Sequence, residues 1–391
     1  MLKPSPYAWL SQYFLGFFFA YGVYLPFWAL WFKGQGISPT DIGYLLGVAL
    51  ATRCVANLLI TPRIHRVEHL LPALRILSIA SLVFIAFHLF TGGSFWLMAL
   101  ATVLFNLCCG PAIPLSDAMA NHYARLKALD YGRTRLWGSI AFIMGSTVVG
   151  FLVAHFGLDW IVYTALVGIA FSVLLSMRNP SLMPVTQGDT ISVRPKLSQL
   201  MGDKSVIKFL GLIALIQGSH AAYYGFSTIY WKEAGYTADI IGYLWSLGVA
   251  AEVCIFAFSR RWFGNWSLRS LFLVSSVGVV VRWGLTASTT MLPALVMIQL
   301  LHGVTFALAH IAAIRYIQGS EQNKMVALQA LYNAIPLGIV MAVMTAVSGW
   351  GYERWGVNVF WVMACMGVVA MLVKLDPQPE NSPEVGIEPQ K

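Results

Sequence analysis

Residues 42–45 read Ile-Gly-Tyr-Leu, and residues 241–244 read Ile-Gly-Tyr-Leu again. At the same offset of about 199 residues Lys33 meets Lys232 and Gly36 meets Gly235, the mark of an internal duplication. Each copy follows a Tyr- and Trp-rich apolar stretch and opens another. A few residues further on, Arg53 in the first copy stands where Glu252 stands in the second, both inside otherwise apolar runs. Two related halves, each hiding a charge of opposite sign in a hydrophobic segment, set the reading of everything around them.

The chain has 391 residues, of which 58% are hydrophobic and only 10% charged. Its mean hydropathy is +0.71. A soluble domain carries about 25% charged residues, so this chain has too few to coat a water-facing surface. The apolar residues run from Tyr7 to Val373, which excludes a soluble protein with one or two anchors and implies a polytopic membrane protein. The net charge of +9 is spread in small groups between apolar runs, so it points to orientation in a lipid bilayer and not to nucleic acid. Cys54, Cys108, Cys109, Cys254 and Cys365 lie in apolar segments without a CxxC and read as packing residues, neither disulfides nor metal ligands. The amino-terminal apolar run is long and has no small-residue cleavage site, so no cleavable signal is expected.

Spans of ~20 apolar residues are expected at 9–32, 42–62, 72–91, 94–121, 136–156, 159–177, 207–231, 240–260, 269–288, 291–317, 326–350 and 355–374. The fold class is therefore an all-α membrane protein, twelve transmembrane helices in two six-helix bundles. The divisions expected are an N-terminal six-helix bundle at 1–177, a cytoplasmic linker at 178–206, a C-terminal six-helix bundle at 207–375, and a disordered cytoplasmic tail at 376–391. Basic residues such as Arg63, Arg66, Arg125, Lys127, Arg133, Arg260, Arg261 and Arg269 fall on one side of these spans. Lys33, Lys232 and Arg354 fall on the other, which puts both termini in the cytoplasm. Two bundles of like orientation are parallel repeats, with a polar cavity at their interface.

An ionisable group in hydrocarbon costs ~3 kcal/mol on insertion scales, so those present face a bundle interior or a wet cavity. They are Arg53, Asp117, Arg135, Glu252, Arg282 and Arg315, with His302 and His310. Asp117 and Arg135 sit on consecutive antiparallel helices joined by a short loop, so they can meet at one depth. A guanidinium there grips a carboxylate through two parallel bonds, and Trp137 nearby offers either a ring face or an interfacial anchor. His302 and Arg282 lie mid-helix on neighbouring spans and, with Glu252, form a candidate proton-handling cluster. His220-Ala221-Ala222-Tyr223-Tyr224 parallels Phe19-Ala20-Tyr21-Gly22-Val23-Tyr24 in the first span, and both suit cavity walls or packing. The candidate substrate-binding set is Arg53, Asp117, Arg135, Trp137, His220, Tyr223 and Arg282. The candidate proton-coupling set is Glu252, Asp117 and His302. No HExxH, GxSxG or phosphate loop is present, so an enzyme is not expected.

Gly132-Arg133-Thr134-Arg135-Leu136-Trp137-Gly138-Ser139 resembles the fifth-helix segment of the lactose-permease-like oligosaccharide/proton symporter branch of the major facilitator superfamily. Gln217-Gly218-Ser219-His220-Ala221-Ala222-Tyr223-Tyr224-Gly225-Phe226 and the run from Gly242 to Glu252 carry the likeness onward. They are similar to members taking up an aromatic carboxylate such as 3-phenylpropionate. The resemblance covers residues 7–374. It implies a monomeric, multi-pass protein of the bacterial inner membrane that imports a small molecule with a proton by alternating access and needs no other cofactor. It also implies that Arg135 pairs with Asp117 at the substrate. Symport of a sugar or nucleoside, and exchange of a drug for a proton, stay open. Two departures stand out. Thr305 occupies the place of an acid central to proton coupling, and the loop Arg63-Ile64-His65-Arg66-Val67-Glu68 lacks the Gly-x-x-x-Asp-Arg signature. Proton coupling then falls to Glu252 or Asp117.

Overall fold

The computed structural model describes residues 3–64, 66–185 and 200–375. The inner part of the expected linker, residues 186–199, the tail at 376–391 and His65 lie outside the described residues. The described residues are helical almost throughout. In the first half the α-helices are α1 Pro6–Gly34, α2 Pro39–Leu59, α3 Leu70–Phe87, α4 Phe95–Cys109, α5 Ala112–Arg125, α6 Tyr131–Phe156 and α7 Trp160–Ser176. In the second they are α8 Lys204–Gly218, α9 Ala221–Glu233, α10 Ala238–Phe263, α11 Leu268–Ser288, α12 Leu292–His302, α13 Ala309–Gln318, α14 Gln322–Ala334, α15 Met341–Trp355 and α16 Val359–Leu372.

Local chemistry starts and stops these helices. Ser5 and Ser38 each precede a proline at the first helical position and accept a backbone N–H of the first turn, from Ala8 and Asp41 at 3.2 Å. Gly36 and Gly235, matched by the repeat, follow α1 and α9 with φ of +82° and +94°, a conformation only glycine enters freely. Pro111 and Pro114 lie at the join of α4 and α5 within one expected span. Short π-helical turns at Gly303–Leu308 and Ile335–Val340 interrupt two more, the second containing Pro336.

Ten helical stretches among the described residues are long and apolar enough to cross a bilayer. Two features separate that number from the twelve expected. Trp160–Ser176 is apolar but only 17 residues long, and Lys324–Leu372 runs for 49 residues, with its break at Gly356 (φ +56°). The burial pattern is that of a protein in lipid. Ile76, Trp96, Val167, Leu174 and Leu372 are all more than 60% exposed, while Asn106, Gln217, His220, Arg282 and Gln299 are buried.

The duplicated stretch builds the seam between the halves. A Cβ on Gly43 of α2 would stand 2.7 Å from the Cα of Gly349 on α15, and one on Gly242 of α10 would strike the carbonyl of Ser146 on α6. The repeated glycine thus lets two helix pairs cross backbone to backbone, once on each side of the molecule. Ser246 closes the second crossing through hydroxyl contacts to Ser146 (2.9 Å) and Thr147 (3.0 Å). At the same end of the bundle Lys33 pairs with Glu233. The other oxygen of Glu233 accepts the Tyr352 hydroxyl at 2.7 Å, and Glu353 accepts the Thr40 amide at 2.9 Å. The halves are therefore joined tightly at the end that carries the α1–α2 corner.

Candidate functional site

Between the halves, below that seam, lies a cavity of ≈ 390 Å³. This is the size of a small-molecule site. Its walls are aromatic, with Phe18, Tyr21 and Tyr24 from α1, Phe142 from α6, and Tyr223, Tyr224 and Trp245 from α9 and α10. Arg53 (α2), Arg135 (α6), Glu252 (α10) and His302 (α12) are the charged or titratable groups on the wall besides the tyrosines. Of the residues expected from sequence, Arg53, Arg135, Tyr223, Glu252 and His302 are thus brought together around one space.

Arg53 donates from Nη1 to the Tyr21 hydroxyl at 3.1 Å and lies 5.0 Å from that ring's centroid, and Nη2 touches Cys109 Sγ at 3.8 Å. Among the described residues no carboxylate lies within ion-pair distance of it. Arg135 is engaged: its Nε is 3.8 Å from Asp117 Oδ1, and its guanidinium lies 4.1 Å from the Phe18 centroid. Asp117 also accepts the Tyr131 hydroxyl at 3.2 Å and sits behind Arg135, off the cavity wall. The two side chains are 32% and 26% exposed. Arg135 lies in the first turns of α6, whereas the seam is made by its later turns, so the pair sits on the side of the cavity away from the seam.

Across the cavity, Glu252 Oε2 stands 3.6 Å from His302 Nε2. His302 Nδ1 lies 2.9 Å from Arg282 Nη1. A guanidinium only donates, so Nδ1 must accept and the ring proton sits on Nε2, toward Glu252. Arg282 is fully buried, stacked at 4.5 Å from the Tyr223 centroid and 4.4 Å from that of Trp283. It donates to Ile298 O at 3.0 Å and Thr305 Oγ1 at 3.1 Å. Gly303 allows this grouping, since a Cβ there would meet the α10 backbone at Ala251 O, 2.9 Å away, one residue from Glu252. Thr305 also contacts His220 Nε2 at 3.1 Å, while His220 Nδ1 faces the carbonyls of Ile216 and Gln217. Carbonyls only accept, so Nδ1 carries the proton and Nε2 accepts from Thr305. The bonds run in one direction, Arg282 to Thr305 to His220 to backbone.

Four expected site residues do not reach the wall. His220 and Arg282 lie behind Tyr223, Asp117 lies behind Arg135, and Trp137 turns outward to donate to the Tyr7 hydroxyl at 3.0 Å. Trp137 is 36% exposed because residues 135 and 137 lie about 200° apart on a helix. Arg315, also among the intramembrane charges, bonds the carbonyls of Phe263 and Trp266 at the end of α10. His310 is held at 2.7 Å by Tyr332. Missed from sequence were Asn106 and Gln217, both on the wall. An amide inside an apolar run was the available signal for each.

Comparisons with known proteins bear on the family and the fold. The model of the MFS_1 like family matches residues 7–363. The chain is 42% identical over 366 residues to the probable 3-phenylpropionic acid transporter of Escherichia coli (strain K12), covering 94% of this chain and 96% of that one. It is 25% identical over 369 residues to the maltose permease of Geobacillus stearothermophilus, covering 92% of each. Among solved structures, the nucleoside transporter NupG superposes with a TM-score of 0.77 at 15% identity, over 94% of this chain and 97% of that one. A D-xylose-proton symporter does so with 0.68 at 14%, over 95% and 98%. These relatives are transporters and not enzymes. A duplicated helical bundle of this fold, with a charged cavity between its halves and a family model spanning nearly its whole length, belongs to the MFS_1-like family of multi-pass membrane transporters of the major facilitator superfamily.

Proposed function

We propose that the protein carries an aromatic monocarboxylate, such as 3-phenylpropionate, together with a proton, by alternating access. The observation that supports this most is the placement of opposite charges at repeat-related positions, Arg53 and Glu252, on facing walls of one aromatic cavity. Arg53 lacks a carboxylate partner among the described residues, Arg135 is taken by Asp117, and Arg282 is behind His302. An arriving carboxylate supplies the counter-charge Arg53 lacks, and its ring meets the aromatic walls.

The proton goes to Glu252. His302 has already committed Nδ1 to Arg282, so a second proton on its ring would break that bond. Asp117 is held by Arg135 and Tyr131. Carboxylate and proton enter together, so cargo and coupling ion cancel in charge and neither is left bare in low dielectric. With Lys33, Lys232 and Arg354 on the outer face, both termini inside and a monomer in the bacterial inner membrane, the seam closes the outer side and the state is inward-facing.

Aromatic walls around an unpaired cation suit an acid better than a sugar, and they disfavour a cationic drug. The test is uptake of labelled 3-phenylpropionate into proteoliposomes under an imposed pH gradient. Accumulation above equilibrium that collapses with a protonophore is expected. Uptake indifferent to the gradient would overturn proton coupling, and no uptake would overturn the substrate.

A further inference from the structure

The wall around Arg53 has a polarity that follows from which atoms can donate. Tyr21 and Tyr24 are three residues apart on α1, on one face of the helix, and both line the cavity. The Tyr21 hydroxyl oxygen receives Arg53 Nη1 at 3.1 Å. A guanidinium has no acceptor, so the oxygen accepts there and the hydroxyl's own proton is directed elsewhere. Tyr24 is set in the same way by a different residue. Asn106 Nδ2 gives one hydrogen to Thr102 O at 2.9 Å and the other to the Tyr24 oxygen at 3.0 Å. The carbonyl at 102 fixes which end of the amide is nitrogen, so Tyr24 too must accept from Asn106 and keep its own proton to give. Neither hydroxyl donates to any partner among the described residues.

We infer that Tyr21 and Tyr24 are specificity-determining residues. Arg53 and Asn106 orient their hydroxyls as donors, and with Arg53 they form an oxyanion subsite that accepts a carboxylate and disfavours a neutral head group. This rests on the aromatic-carboxylate reading above and names the groups that would enforce it. Arg53, Tyr21 and Tyr24 each have a donor to offer, so a carboxylate, with acceptors alone, satisfies every one of them. An alcohol has a single oxygen and no negative charge, so it can take fewer of these donors and leaves Arg53 without a counter-charge. The rings themselves are seated by packing, Tyr24 against Trp28 (4.8 Å) and Phe105 (5.2 Å), Tyr21 against Phe142 (6.1 Å). Removing a hydroxyl therefore leaves the wall in place.

The experiment measures binding of 3-phenylpropionate and of its alcohol, 3-phenylpropan-1-ol, to the full-length protein in nanodiscs, for wild type, Tyr21→Phe and Tyr24→Phe. Each lost charge-assisted bond is expected to raise the acid's Kd about tenfold and the alcohol's by no more than about threefold. Retained alcohol binding reports an intact fold. Unchanged acid affinity in both variants, with the wild type binding the acid, overturns the subsite and leaves the transport reading standing. Equal weakening of acid and alcohol assigns the tyrosines to packing and also overturns it. Failure of the wild type to bind the acid overturns both readings.

Discussion

The two walls of the cavity carry positions matched by the sequence repeat and are chemical opposites. On the first, Arg53 points into the cavity with a tyrosine as its acceptor and, among the described residues, no carboxylate within ion-pair distance. On the second, Glu252 points in and is backed by His302, whose far nitrogen is held by a buried Arg282. The first wall carries a positive charge in search of a partner, and the second carries a negative charge tethered through a neutral ring to a distant cation. The lesson is that charge at a repeat position does not define its role. What defines it is whether the charge already has its counter-ion within the protein.

Three substitutions break or sharpen that contrast. The largest effect is expected from Glu252→Gln, which removes the titrating group and keeps the shape. Accumulation of 3-phenylpropionate driven by a pH gradient should vanish, while exchange of internal for external substrate persists. Gradient-driven accumulation in this variant would transfer the proton to another group. Next is Arg53→Gln, which deletes the unpaired cation. Losing one partner of a desolvated charge pair costs several kcal/mol, so binding of the acid in nanodiscs should weaken by about 100-fold. A loss of tenfold or less would reassign the carboxylate to Arg135. The smallest change is expected from Trp137→Phe. Its ring faces away from the cavity toward Tyr7, so uptake should stay within about twofold of wild type. A large loss there would mean that the first wall extends past Arg135 in another state of the cycle.

Much of this was legible before any coordinates. The stretch around Ile42 and Ile241 marked the duplication, and each of its glycines turns out to sit at a crossing between halves. Arg53 and Glu252 stood out as charges in apolar runs because lipid tolerates few of them. The neighbours of those charges were less visible. Trp137 shares its motif with Arg135, yet a helix sends residues two apart in different directions. Asn106 and Tyr24 are 82 residues apart in the chain, and nothing local to either announces the bond between them.

Sequence alone determined the solvent, the helices and the doubling, because hydrophobicity, proline, glycine and repeats are properties of a segment and its immediate surroundings. Tertiary structure alone decided which cation lacks a carboxylate among the described residues. That question turns on contacts made across the chain, such as Arg282 with His302 and Arg135 with Asp117. In a low-dielectric interior a partner a few ångströms away outweighs anything that composition records.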